Sequence, residues 1–290
     1  RHRPLRIDTT MLKTRILTAL LLFVFFVSAL FAFPHLVWVL VATLVASLGA
    51  WEWGSFQRYS SSSRLGFALA VAAFAATVVV VSPEALGLGE PLNLERAWTV
   101  GRWFYVPAAG FWLIVVPCWL RGRWMLPAQW RGSLVGLLVI LPTWLALIQL
   151  RHLGPWVLLA IMAVVWVADT GAYFCGRAFG KRKLAPSISP GKTWEGAIGG
   201  ACFVVLYGFC ALQLGFGYAV LREWPLLAGA LLIFAALSVI GDLFESLLKR
   251  QAGLKDSSAL LPGHGGVLDR IDSLTSTLPL VAMAWLLTVS

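Results

Sequence analysis

The sequence predicts an all-α, polytopic integral membrane protein with about nine transmembrane helices, its N-terminus cytoplasmic and its C-terminus outside. Three observations carry this. The chain is 59% hydrophobic and only 12% charged, against about 25% charged residues in an average soluble domain. Apolar runs of the length a bilayer demands, about 20 residues each, recur from one end to the other. The charges that remain are confined to the short segments between those runs, and they alternate in density.

The spans fall near 15–33, 35–53, 65–82, 103–120, 133–150, 155–174, 194–215, 224–243 and 273–289. The first, Ile16–Phe33, is too long for the 7–15-residue apolar region of a signal peptide, and Pro34-His35 is a poor cleavage context, so it reads as a retained helix. Ahead of it, Arg1–Thr10 is a polar, basic extension before Met11 with no expected role in the fold. With the N-terminus inside, segments 1–15, 54–64, 121–132, 175–193 and 244–272 hold 19 of the 23 Lys and Arg. The outer loops keep only Arg96, Arg102, Arg151 and Arg222. That asymmetry is the positive-inside pattern, and it requires an odd number of spans.

The same placement explains the net charge of +10. Basic residues in short loops beside apolar runs are topology determinants facing anionic lipid, so no nucleic-acid partner is expected. Trp53, Trp98, Trp103, Trp119, Trp124, Trp156 and Trp224 lie near predicted span ends and read as interfacial anchors. Cys118, Cys175, Cys202 and Cys210 show no metal or redox spacing and read as small core residues.

The chain divides into an extension (1–14), an N-terminal transmembrane scaffold (15–154) and a C-terminal catalytic transmembrane region (155–290). The scaffold offers no polar motif to a chemical argument. The catalytic region holds two polar stretches on the cytoplasmic side, Asp169–Glu195 and Gly241–Asp272. In the first, Ser189-Pro-Gly-Lys192-Thr193 precedes a helix beginning near Trp194. Free backbone N–H groups and the positive dipole end make a helix N-terminus an anion site, to which lysine adds a point charge. Lys181, Arg182 and Lys183 serve equally as phosphate ligands or as topology charges. The spacing is not that of a P-loop.

In the second stretch, Asp242, Glu245, Ser246 and Lys249 share one helical face, as do Asp269 and Asp272. The turn Pro262-Gly-His-Gly-Gly266 brings the two helix ends together. Facing carboxylates at membrane depth are unfavourable unless they are paired or bind a cation. Mg²⁺ suits them, since it takes carboxylate and phosphate oxygens, and a second cation fits beside it. Ion pairs with Lys249, Arg250 and Arg270 are the structural alternative. His264 reads either as a proton carrier or as a turn residue.

The stretch Ser246–Asp272, SLLKRQAGLKDSSALLPGHGGVLDRID, resembles the signature of the phosphatidate cytidylyltransferase (CDP-diacylglycerol synthase) family. The upstream ADTGAYFCGRAFGKRKLAPSISPGKTWEG extends the resemblance over about 165–290. One departure is Ser258, where the family more often has glycine. The resemblance implies transfer of the cytidylyl group of CTP to phosphatidate, giving CDP-diacylglycerol and pyrophosphate in phospholipid biosynthesis. It implies Mg²⁺ on Asp242 and Asp269, with Asp272 beside them, and a monovalent partner such as K⁺. Lys249, Arg250, Lys255, Asp256, His264 and Arg270 would complete the catalytic set, while Asp169, Ser189, Lys192 and Thr193 would frame CTP. It further implies a homodimer in a bacterial inner membrane, with the site facing the cytoplasm.

Other readings are weaker. The DGxxAR…GxxxDxxxD pattern of CDP-alcohol phosphatidyltransferases is absent. A CTP-dependent polyprenol or phytol kinase is the nearest alternative. A cation-coupled transporter would carry acids at mid-span in both halves, whereas these acids lie at span ends in one half.

Overall fold

The computed structural model describes residues 9–89, 91–215 and 224–289; the extension up to residue 8, Glu90 and Arg222 lie outside them. Its elements are α1 (Thr9–Phe31), α2 (His35–Phe56), α3 (Ser61–Val81), α4 (Leu94–Gly110), α5 (Val116–Gly122), α6 (Trp130–Leu150), α7 (Pro155–Phe179), β1 (Lys183–Ala185), β2 (Ser189–Thr193), α8 (Trp194–Gly215), α9 (Trp224–Ala252) and α10 (Leu268–Val289). A π-helical segment, Phe111–Val115, joins α4 to α5 just after Pro107, which removes one helical N–H donor.

Among the described residues, eight helical units are long and apolar enough to cross a membrane. The sequence predicts nine. The difference lies in α1, whose described apolar stretch is only Leu17–Phe31. The basic segment after α7 contains an antiparallel hairpin with Lys183 opposite Thr193 and Ala185 opposite Ser189. At the other polar stretch, α9 runs on to Ala252 and α10 starts at Leu268. Asp242 through Arg250 and Asp269 through Asp272 are therefore all helical.

The packing joins the stretches 15–154 and 155–290 into one body. A continuous buried cluster takes in Trp38 and Ala46 of α2, Tyr105 of α4, Trp144 and Leu145 of α6, Phe244 of α9 and Leu278 of α10. The helix α10 touches α2, α4, α6, α7 and α9. Phe244, two residues from Asp242, is ringed by Phe111, Trp112 and Trp119 with centroids 5.5–5.6 Å away. These edge-on contacts suit the ring quadrupoles and set the position of α9.

On the far side, α8 lies against α7 through small residues, as membrane helices do when their backbones approach closely. A Cβ on Gly200 would stand 2.6 Å from the Ala168 carbonyl oxygen, and one on Gly171 would stand 2.9 Å from Phe203.

Two of the expected interfacial tryptophans belong to the core instead. Trp53 and Trp119 are buried, with ring N–H groups donating to the Gly132 carbonyl at 3.0 Å and the Trp124 carbonyl at 2.6 Å. A buried indole N–H usually finds such a partner; Trp112, equally buried, has none among the described residues. Trp103, Trp124 and Trp156 are exposed. The four cysteines are free thiols, and Cys118, Cys202 and Cys210 lie on exposed helix surface rather than in the core.

Candidate active site

A cavity of about 720 Å³ opens where α7, β2, α8, α9 and the first turns of α10 converge. Its wall includes Asp169, Ser189, Lys192, Thr193, Asp242, Lys249, Asp256, Asp269, Arg270 and Asp272. Residues over 100 positions apart in sequence thus share one polar chamber.

Each side of the chamber is held by its own local chemistry. On one side, Glu195 of α8 folds back to accept from the backbone N–H groups of Lys181 and Arg182 at 3.1 and 3.2 Å, while the Trp194 N–H donates to the Arg182 carbonyl at 2.9 Å. The hairpin is therefore tied to the head of α8. Thr193 caps that helix, its hydroxyl accepting from the Gly196 N–H at 3.1 Å, which satisfies one of the helix's free donors. Lys192, next to it, reaches across to Asp242 of α9 in an ion pair of 2.5 Å.

On the other side, Lys249 of α9 bridges two acids, 2.6 Å from Asp269 Oδ1 and 3.2 Å from Glu245 Oε1. Asp269 is nearly buried, and its Oδ2 accepts from the Ser257 N–H (2.8 Å), the Ser257 hydroxyl (2.9 Å) and the Gly266 N–H (2.8 Å). The Pro262–Gly266 turn makes this possible. Gly263 and Gly265 sit at φ of +77° and +79°, where a side chain is strained. A Cβ on Gly265 would also stand 2.6 Å from Asp269 Oδ2.

Three sequence-predicted residues are not part of the wall. Arg250 points away from it: one position after Lys249, it lies about 100° round the helix and donates to the Leu254 carbonyl at 3.5 Å. Lys255 is exposed on the following loop. His264 is taken up by the turn, with its backbone N–H donating to the Leu261 carbonyl at 2.8 Å and a buried Nδ1 that meets no partner.

The sequence reading missed Tyr173, Arg177 and Glu52. Tyr173 and Arg177 line the cavity from α7 and share the stripe of Asp169 at helical spacing; their signal was the recurrence at 169, 173 and 177. The Arg177 guanidinium donates to the Tyr173 hydroxyl at 3.1 Å. Among the described residues, Arg177 and Arg270 are the wall's basic side chains without a carboxylate partner, since Lys192 and Lys249 are both paired. Glu52 belongs to the scaffold, yet Ser257, Ser258 and Val267 of the α9–α10 loop and Leu268 at the start of α10 all donate to it. A lone acid inside a predicted span was the signal.

Comparison with known proteins identifies the chamber's lineage. The cytidylyltransferase family model matches residues 13–288. The chain belongs to that family. Within it, the chain is 41% identical to the phosphatidate cytidylyltransferase of Pseudomonas aeruginosa, over 95% of this chain and 97% of that one. It is 35% identical to the phosphatidate cytidylyltransferase of Haemophilus influenzae, over 93% and 96% respectively. The Staphylococcus aureus protein of the same name is 46% identical over 138 residues, 46% of this chain. The likeness to the first two covers both the apolar scaffold and the chamber.

Proposed function

We propose that the chain transfers the cytidylyl group of CTP to phosphatidate, giving CDP-diacylglycerol and pyrophosphate. The observation that carries this is the 41% identity over nearly the full length, joined to a chamber that gathers acids and bases at one end of membrane helices. An oxygen of the lipid phosphate attacks the α-phosphorus of CTP; the bond from that phosphorus to the β-phosphate bridge oxygen breaks and pyrophosphate leaves. The attacking phosphate is already anionic at neutral pH, so no enzyme nucleophile is needed. The protein's part is to position the two phosphates and neutralise charge.

Arg270 and the head of α8 suit the CTP phosphates. Arg177 suits the lipid phosphate, because its neighbours Tyr173 and Phe174 on α7 are exposed large aromatics where acyl chains would lie. Lys192 and Lys249, held by Asp242 and Asp269, supply further positive charge.

The wall fits Mg²⁺ by its donors: Asp242, Asp269 and Asp272, with Asp169 opposite, are all hard oxygen ligands. Among the described residues no three acidic, His or Cys side chains form a ready cage. That suits an ion that usually binds one or two carboxylates plus substrate phosphates. Asp242 and Asp269 would hold it, exchanging ammonium partners for the metal, with room for a monovalent ion such as K⁺. When bound, the ion would neutralise charge developing on the transferring phosphates.

The basic loops on the chamber's side support a cytoplasmic-facing site in a bacterial inner membrane, where CTP arrives from water and phosphatidate from the bilayer. Family resemblance supports a homodimer, which light scattering in detergent tests. For the reaction itself, purified protein is incubated with CTP, phosphatidate and Mg²⁺, and the lipid is analysed by mass spectrometry. CDP-diacylglycerol that needs both substrates and disappears with EDTA is the expected result. Phosphorylation of a prenol, with phosphatidate untouched, overturns it.

A further inference from the structure

Glu52 lies on α2, in the stretch read as inert scaffold, and exposes 0% of its surface. A buried carboxylate is costly unless its lone pairs meet donors. Here four converge: Oε1 accepts from the Ser258 hydroxyl (2.7 Å) and the Val267 N–H (2.8 Å), and Oε2 from the Ser257 hydroxyl (3.0 Å) and the Leu268 N–H (2.7 Å). All four donors come from the α9–α10 loop and the first residue of α10. The carboxylate therefore clamps a loop that belongs to another part of the chain. Gly266 is shaped to it, since a Cβ there would run into both Glu52 Oε1 and the Ser257 hydroxyl.

The clamp reaches the chemistry through Ser257. Its hydroxyl stands 3.0 Å from Glu52 Oε2 and 2.9 Å from Asp269 Oδ2, and its single proton is shared between them. Asp269 in turn holds Lys249 at 2.6 Å. An unbroken chain of contacts thus runs from the scaffold helix to a cation in the chamber wall.

We propose that Glu52 is a positioning residue of the cytidylyl-transfer site: by holding Ser257, Val267 and Leu268 it fixes Asp269 Oδ2, and so aims Oδ1 and the Lys249 ammonium at the chamber. This role rests on the cytidylyl-transfer reaction. Small misplacements of such groups are expensive in rate even when the mutated residue is remote.

The test uses the full chain in detergent as wild type, Glu52→Gln, Ser257→Ala and the double variant. It measures thermal unfolding, amide hydrogen exchange and steady-state kinetics with CTP and phosphatidate. Gln keeps the shape but turns an NH₂ toward groups that are themselves donors. In Glu52→Gln, kcat falls on the order of 10²-fold while both KM values stay within about threefold. Exchange quickens over 253–268 while the helices keep their protection. The double variant is no worse than the poorer single one, because both cut the same chain of contacts. A folded Glu52→Gln with wild-type kcat overturns the proposal, as do losses that multiply in the double variant. If Glu52→Gln does not fold, Ser257→Ala decides: lowered kcat supports the clamp and unchanged kcat sinks it. If wild type itself is inert with phosphatidate, the reaction reading fails separately. Exchange then decides the clamp alone, with an unchanged loop overturning it.

Discussion

Lys192 of the β2 strand and Asp242 of α9 form an ion pair of 2.5 Å across the chamber. The pair joins the hairpin that leads into α8 to the helix that carries Lys249. Both side chains are about one-quarter exposed, at 25% and 27%, so each is open to substrate or metal. Removing one partner leaves the other charge uncompensated in a partly dry site. Lys192→Ala and Asp242→Asn should each lower kcat/KM for CTP on the order of 10²-fold with helix content unchanged by circular dichroism. Wild-type kinetics in either variant would falsify this assignment.

Arg177 and Arg270 should divide the two substrates between them. Replacing a charged hydrogen-bond donor costs about 1.5–3 kcal/mol, which is about 10- to 100-fold in binding. Arg177→Ala is expected to raise KM for phosphatidate, measured as its mole fraction in mixed micelles, and to leave KM for CTP alone. Arg270→Ala should do the reverse. If both variants shift the same KM, the division is wrong.

The turn before α10 tolerates no side chain at Gly265 or Gly266. At Gly265 the left-handed φ of +79° and the 2.6 Å approach to Asp269 act together, and at Gly266 the obstruction is Glu52 and Ser257. Gly265→Ala and Gly266→Ala should each abolish measurable transfer while the membrane helices stay folded. The check is activity beside far-UV dichroism and size-exclusion elution of the same sample. Substantial residual activity would mean the turn is looser than its geometry implies.

Phe244 should matter to stability more than to any substrate constant. Its ring touches three aromatic neighbours within 5.6 Å, and truncation would leave a cavity beside α9. Phe244→Ala should destabilise the protein by about 3 kcal/mol, read as a lower Tm in detergent. Phe244→Leu should recover much of that loss. An unchanged Tm in Phe244→Ala would show that α9 is located by something else.

The membrane class and the polar chamber were legible because each has a local signal. Long apolar runs announce spans, and charges gathered at span ends announce chemistry. Asp242, Asp269 and Asp272 follow from helical spacing once two helix ends are brought together by the Pro262–Gly266 turn. What stayed hidden depends on contacts between distant residues. Glu52 meets Ser257 across 205 positions, and no periodicity links them. Trp53 and Trp119 sit at span ends like interfacial anchors, yet tertiary packing buries them. The family resemblance implied a catalytic role for Arg250 and Lys255; the rotation of α9 and the path of its loop leave both out of the chamber wall. The hairpin at 183–193 was unreadable because Pro, Gly and Lys are poor strand formers, and its ties to Glu195 and Trp194 lie outside the strands.

The most direct measurement follows the label. Purified protein is given phosphatidate, Mg²⁺ and CTP carrying ³²P at either the α- or the γ-phosphate, and the lipid is extracted. Cytidylyl transfer sends α-label into the lipid and leaves γ-label in water as pyrophosphate. Label from the γ-phosphate in the lipid would mean phosphoryl transfer and would contradict cytidylyl transfer outright.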